Sequence, residues 1–164
     1  MIEILRLGHR ISRDKRISTH VALVARAFGA DKIWYTGQKD SEYEKSVKKI
    51  VEDFGGNFEI EHIVKFDKLL KNKTVIHLTM YGLDYRENIK NIKKDVLIIV
   101  GGEKVPGEIY KLADYNLAVS NQPHSEVGAL AVFLDHLTQS KYKNFEGKIR
   151  IIPSEKGKDI RKTK

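Results

Sequence analysis

The sequence contains no cysteine, which rules out disulfide scaffolds, thiolate zinc sites, iron–sulfur clusters and any cysteine nucleophile together. Nor does it hold an uninterrupted apolar run of about 18 residues, the length a helix needs to cross a bilayer. Residues 1–7 include Glu3 and Arg6 and lead to no small-residue cleavage site, so they do not read as a secretory signal. The expectation is a soluble, cytoplasmic protein without membrane contact. The signatures G-x-G-x-x-G and Gly-Lys-Ser/Thr are missing, which sets aside NAD and ATP. The six histidines never fall in H-E-x-x-H or a comparable spacing, so no metal site is expected.

Acidic residues are the minority charge: 22 Asp and Glu stand against 30 Lys and Arg, a net charge of +8. A pI near 9.5 favours a polyanionic partner, with nucleic acid the leading candidate. The plain alternative is a lysine-rich proteome whose proteins are basic throughout. At 164 residues the chain fits one domain with one sizeable core. The expected division is one main domain over residues 1–140 and a basic C-terminal extension over residues 141–164.

Hydrophobic periodicity predicts alternating strands and helices. Residues 1–7 read as a strand, and residues 8–17 as a basic loop too charged for the core. Ser18 then caps a helix bearing Val21, Val24, Ala25 and Phe28 on one face, closed by Gly29. Residues 32–36 make a strand, and Asp40 or Ser41 starts a helix striped by Tyr43, Val47, Ile50, Val51 and Phe54. A strand near 58–63, a short helix near 66–70, a strand over 73–78 and a helical tendency over 88–93 follow. Residues 95–100, DVLIIV, have the continuous apolar character of a central strand buried on both faces. After a strand at 115–119, residues 124–137 form a helix apolar around most of its circumference, which needs cover on two sides and so predicts a homodimer. The alternation implies an α/β fold, a mostly parallel sheet between helix layers. The tail, with a strand-like piece at 148–152, is expected to form a hairpin or a partly disordered arm.

Ligands of such sheets bind beyond the C-terminal strand ends, where the pattern places loops 79–84, 101–107 and 120–123. Gly101 and Gly102 let backbone turn sharply or approach a ligand; taken alone they are no more than a tight turn. Ser120, Asn121, Gln122, Pro123, His124, Ser125 and Glu126 run into the long helix, where Ser125 or His124 serves as its cap. Capping accounts for Ser125 and Pro123 but gives Asn121 and Gln122 no use. Arg10, Arg13, Lys15 and Arg16 face only Asp14, a density suited to phosphate because guanidinium forks match its oxygens. A solvated charged loop is the alternative.

Four segments in order, RLGHRISRDKR with STHVALVARAFGA, then HLTMYG, LIIVGGEKVP and SNQPHSEVGALAVFLD, resemble the archaeal tRNA cytidine-56 2′-O-methyltransferase family across nearly the whole chain. The resemblance implies a SPOUT fold with a C-terminal deep trefoil knot. It implies S-adenosyl-L-methionine as cofactor, held by Leu78, Gly101, Gly102, Glu103, Lys104, Val105, Val119, Ser120, Asn121, Gln122, Pro123, His124, Ser125 and Glu126. It also implies tRNA as substrate and a homodimer in which the arginine-rich first segment completes a site at the subunit boundary. In the wider class an arginine of that segment assists removal of the ribose proton. Aligning AFGA with that class puts Leu23 at the usual position, which leaves Arg10, Arg13 and Arg16 as the catalytic candidates. A noncatalytic basic RNA-binding protein is the rival reading, and the GGEKVP and NQPHSE segments argue against it.

Overall fold

Six strands running the same way form the sheet, and their order explains where a ligand can sit. In the computed structural model, which describes residues 1–92, 95–102 and 104–163, these are β1 (Ile2–His9), β2 (Lys32–Gly37), β3 (Glu59–His62), β4 (Thr74–Asp84), β5 (Val96–Val100) and β6 (Tyr115–Ala118). Every pairing is parallel, in the order β3-β2-β1-β5-β4-β6. The chain builds outward from β1 to β3, jumps back to the other side of β1, and inserts β5 between β1 and β4. The reversal falls between β1 and β5, the kind of switch point at which loops diverge and leave a crevice.

One face of the sheet is covered by α1 (Ile11–Ala27), α2 (Ser41–Phe54) and α5 (Glu126–Leu137). Ile4, Ile33, Ile76 and Ile98 from the strands meet Val21, Val47, Leu130 and Phe133 from the helices there, all buried. The opposite face is thinner: Leu5, Leu97 and Ile99 pack under Leu69 of a 3₁₀ turn at Asp67–Leu70 and under Ile109 of α4 (Gly107–Leu112). All five residues of β5 are buried, as its unbroken apolar run requires. A one-turn helix α3 (Tyr85–Asn88) follows β4. No helix among the described residues is long and apolar enough to cross a membrane.

Three expectations change. The basic stretch after β1 is helix, not loop: α1 begins at Ile11, and Arg10 is its N-cap. Asp14 makes this possible, because its carboxylate accepts the Arg10 backbone N–H at 3.1 Å and the guanidinium Nε–H at 2.8 Å, so acid and base neutralise each other at the helix start. Ser18 is consequently a buried mid-helix residue rather than a cap. Residues 79–84, expected as loop, belong to β4, which bulges: Leu78 and Leu83 both pair with Leu117. Helix α4 was not legible, since six residues with a single buried side chain, Ile109, carry no periodic signal. The tail forms an antiparallel hairpin of β7 (Ile149–Ile152) and β8 (Asp159–Lys162).

Candidate functional site

Strands β4, β5 and β6 deliver their following loops to one crevice at the C-terminal end of the sheet. A cavity of about 490 Å³ lies there, in the range of small-molecule sites. Of the residues singled out in the sequence, Leu78, Gly101, Gly102, Lys104, Val105, Val119, His124 and Glu126 line it. Ser120, Asn121, Gln122, Pro123 and Ser125 belong to the adjoining loop without lining the cavity; Glu103 lies outside the described residues.

The glycines are spatial necessities. A Cβ on Gly101 would sit 2.0 Å from Val105 Cγ2, and one on Gly82 would sit 2.5 Å from the Asn116 carbonyl oxygen. Asn121 clamps two loops together, its amide donating to the carbonyls of Met80 at 2.7 Å and Gly82 at 3.1 Å. Ser120 Oγ accepts from the Gln122 backbone N–H at 3.1 Å, His124 Nδ1–H donates to the Gln122 carbonyl at 2.6 Å, and Ser125 Oγ caps α5 by accepting from Val127 N–H at 3.2 Å. Asn121 therefore helps to hold the loop's shape, the use that capping alone did not supply, whereas Gln122 contributes only its backbone groups.

Two functional candidates escaped the sequence reading. Arg6 points from β1 into the helix layer with 1% of its surface exposed. It donates to the Leu7 carbonyl at 2.8 Å and pairs with the Glu126 carboxylate at 3.3 Å, joining the β1 end to the start of α5. A Cβ on Gly102 would stand 3.3 Å from its guanidinium. Its signal was present: in IEILRLGH the core-facing alternation Ile2, Ile4 continues into a charge, which is never left there without partners. His77 of β4 is fully buried, lines the cavity, and meets Tyr110 edge-on at 4.7 Å. Asn116 donates through Nδ2 to the Tyr110 carbonyl at 2.8 Å, so its Oδ1 faces His77 Nδ1 at 2.9 Å. His77 is therefore the Nδ1–H tautomer, and its Nε2 is a buried acceptor with no protein partner. Burial pushes its pKa down against the opposing effect of the Asn116 contact, keeping the ring neutral near pH 7.

A second, adjoining cleft of about 720 Å³ shares Gly102 and Lys104 with the first and opens between the β1 end and α4. Arg10 lines it, with Gly8, Thr36, Phe66 and Ile109. Among the three arginine candidates only Arg10 touches either cavity; its guanidinium is committed to Asp14, whose carboxyl it holds below the ordinary range. Arg13 and Arg16 lie on the exposed side of the first turns of α1. A buried Ser–His–Asp constellation also exists: His9 contacts Ser18 Oγ at 2.8 Å and Asp40 Oδ2 at 3.2 Å. Ser18 and His9 are wholly enclosed, so no substrate reaches them, and the set fastens β1, α1 and α2 to one another.

A parallel sheet with three glycine- and asparagine-shaped loops over one crevice defines a class. The fold is that of the SpoU-type methyltransferases. The SpoU methyltransferase AviRb from Streptomyces viridochromogenes, solved with AdoMet, aligns with a TM-score of 0.61 at 11% identity, over 85% of this chain and 57% of that one. The A. aeolicus TrmH/SpoU tRNA modifying enzyme aligns at 0.60 with 15% identity, over 85% and 76%. Within the class, residues 54–161 match the sequence pattern of the family described as tRNA ribose 2′-O-methyltransferase, aTrm56. A tRNA (cytidine(56)-2′-O)-methyltransferase of Methanocaldococcus jannaschii is 55% identical over 98% of this chain and 96% of its own length. A like-named protein of Thermococcus kodakarensis is 51% identical over the same shares, 98% and 96%. The chain belongs to the aTrm56 family of tRNA ribose 2′-O-methyltransferases.

Proposed function

We propose that this protein methylates the ribose 2′-oxygen of cytidine 56 in tRNA, using S-adenosyl-L-methionine. The observation that carries the reading is identity above 50%, over nearly the full length of both chains, to relatives named for that reaction. The cavity suits the cofactor. Its volume fits a nucleoside-sized ligand, the Gly101–Val105 contact leaves backbone at its wall, and Glu126 offers a carboxylate to a cationic sulfur. The unmatched Nε2 of His77 suits an N–H donor such as an adenine amine. Leu78, Gly101, Gly102, Lys104, Val105, Val119, His124 and Glu126 would hold it, with residues 120–125 fixing the loop shape.

S-adenosyl-L-methionine, when bound, supplies an activated methyl group on sulfonium, which leaves alignment and exclusion of water to the protein. Arg10, Arg13 and Arg16 orient the phosphate and ribose of the target nucleotide. Arginine stays protonated in proteins, so these side chains act as forks rather than bases, and the hydroxyl proton passes to solvent or phosphate. Exposed Arg13 and Arg16, apart from either cavity of their own protomer, support a homodimer in which each protomer completes the other's site. Helix α5 supports the same arrangement: its Gly128 and Val132 remain uncovered between the buried Ala129, Leu130, Phe133 and Leu134. A deep trefoil knot is supported by the path of the chain. After β6, at the sheet edge beyond β4, residues 119–125 lead back to Glu126, which pairs with Arg6 on β1, while Asn121 bonds the Met80 and Gly82 carbonyls of the β4 bulge. Residues 1–140 serve as the catalytic domain, 141–164 as a basic extension, in a cytoplasmic enzyme.

The test is transfer of labelled methyl from S-adenosyl-L-methionine to unmodified tRNA, followed by mapping of the modified ribose. Label at cytidine 56 is expected. Label elsewhere overturns the target, and absence of both transfer and calorimetric cofactor binding overturns the enzyme reading. Full activity in Arg10→Lys, Arg13→Lys and Arg16→Lys would remove arginine geometry from the mechanism.

A further inference from the structure

Most of the excess positive charge of this chain lies outside the residues assigned to the site. Residues 141–164 contain nine Lys and Arg and three Asp and Glu, six of the eight excess positive charges of the whole chain. The other 140 residues are nearly balanced. Five of these cations, Arg150, Lys156, Lys158, Arg161 and Lys162, lie on the hairpin β7–β8, and the segment leading into it is anchored at the opposite end of the sheet from the crevice. Helix α2 measures the separation: it starts at Asp40, bonded to His9 near the crevice, and ends at Gly55 against the Glu146 backbone. Fourteen helical residues span roughly 20 Å.

The arm is fixed to the body, not trailing from it. Lys143 pairs with Asp31 at 2.5 Å, Lys148 pairs with Glu52, and the Phe145 ring lies under the Arg26 guanidinium at 4.5 Å. Beyond this anchor the cations are uncommitted. Arg150, Lys156, Lys158, Arg161 and Lys162 are exposed, and among the described residues none of them makes an ion pair. Arg150 and Arg161 are, moreover, direct cross-strand partners. Like charges placed opposite one another weaken a hairpin, so this pair is a cost to the free protein that a bridging anion removes.

We propose that the β7–β8 hairpin is a second tRNA-binding surface, gripping backbone phosphates outside the T-arm, the stem and loop that carry the methylated ribose. It recognises phosphate and helical shape, not base identity, because its contacts are guanidinium and ammonium groups on a two-stranded ribbon. The inference rests on tRNA being the substrate, and it assigns the arm to affinity for the whole molecule and not to chemistry.

The experiment compares wild type with Arg150→Ala/Arg161→Ala and with Lys156→Glu/Lys158→Glu, using full-length unmodified tRNA and the isolated T-arm hairpin. For the arginine pair, KM for full tRNA is expected to rise about tenfold with kcat within about twofold, and the slope of log affinity against log salt to fall by roughly 1.4 to 1.8, the release of two counterions. Its melting temperature should hold or rise, because the substitution removes a repulsion, so weaker binding is not unfolding. The lysine pair should weaken binding in the same direction. On the isolated T-arm, wild type and variants should behave alike. Unchanged KM and salt slope on full tRNA overturn the proposal, as does an equal loss on the T-arm hairpin. Loss of binding to phosphatidylglycerol vesicles with tRNA affinity intact would overturn it in favour of a membrane surface. A wild type that transfers no methyl yet binds tRNA through these arginines would sink the reaction and leave the arm assignment standing.

Discussion

Arg6 is a cation sealed inside the protein beside the site, and its value is positional. By holding the Leu7 carbonyl and the Glu126 carboxylate together it ties the end of β1 to the first turn of α5, across the wall formed by Gly102. Arg6→Met should weaken cofactor binding about tenfold, near 1.4 kcal/mol, in calorimetry, while Arg6→Lys recovers only part of it because an ammonium lacks the fork to serve both oxygens. Affinity unchanged in Arg6→Met would reduce the residue to packing. His77 makes a separate claim about pH. Its folded value lies below the ordinary 6.5, so above that pH it adds no dependence. As the pH falls below about 6.5 the unfolded chain takes up a proton that the folded chain refuses, and stability declines until the folded value is reached. Urea midpoints should therefore drop less in His77→Phe than in wild type between about pH 7.5 and about 5. Equal drops would show that His77 is not the group responsible.

At the level of elements, the helix α2 cap does two jobs at once. Asp40 Oδ1 accepts the N–H groups of Glu42 at 3.0 Å and Tyr43 at 3.1 Å, and Oδ2 faces His9. Asp40→Ala should cost about 2 kcal/mol, a fall of roughly 5 °C in melting temperature, with Asp40→Asn losing less. A change below about 0.5 kcal/mol would mean that the cap and the His9 contact are dispensable. The same element was readable in advance, because Asp40 followed by the stripe Tyr43, Val47, Val51 states both its start and its buried face. What the sequence did not disclose are features made by partners distant along the chain. The start of α1 looked like loop because Arg10, Arg13, Lys15 and Arg16 suggested solvent, whereas Asp14 folds back onto Arg10 and begins the helix seven residues before Ser18. The four-residue bulge in β4 depends on Asn121, some forty positions later. The crevice loops themselves were legible from Gly101, Gly102 and residues 120–126; Arg6 and His77 were passed over because each stands inside a strand whose apolar neighbours dominate the pattern.

For the molecule as a whole, the distribution of uncovered surface argues for a pair. Val132 is 44% exposed on the helix that otherwise supplies Leu130, Phe133 and Leu134 to the core. Val132→Glu should shift sedimentation velocity from dimer to monomer and abolish methyl transfer, leaving the circular dichroism spectrum of the fold in place. A variant that stays dimeric would place the subunit contact elsewhere. The candidate crevice and the anchor of the basic arm lie at opposite ends of the sheet.

The place of β5 in the sheet has a further bearing on how the protein is made. Among the six strands β1, β2 and β3 come first along the sequence and lie side by side, but the other edge of β1 waits for residues 96–100. A half-sheet of β1, β2 and β3 without β5 has an open parallel edge at β1, an edge that takes roughly 5 to 20 seconds of synthesis to reach its partner at about 5 to 20 residues per second. The strand that completes the centre of the sheet is fifth in sequence, so until it is made the inner edge of β1 is the one open to pairing with another chain.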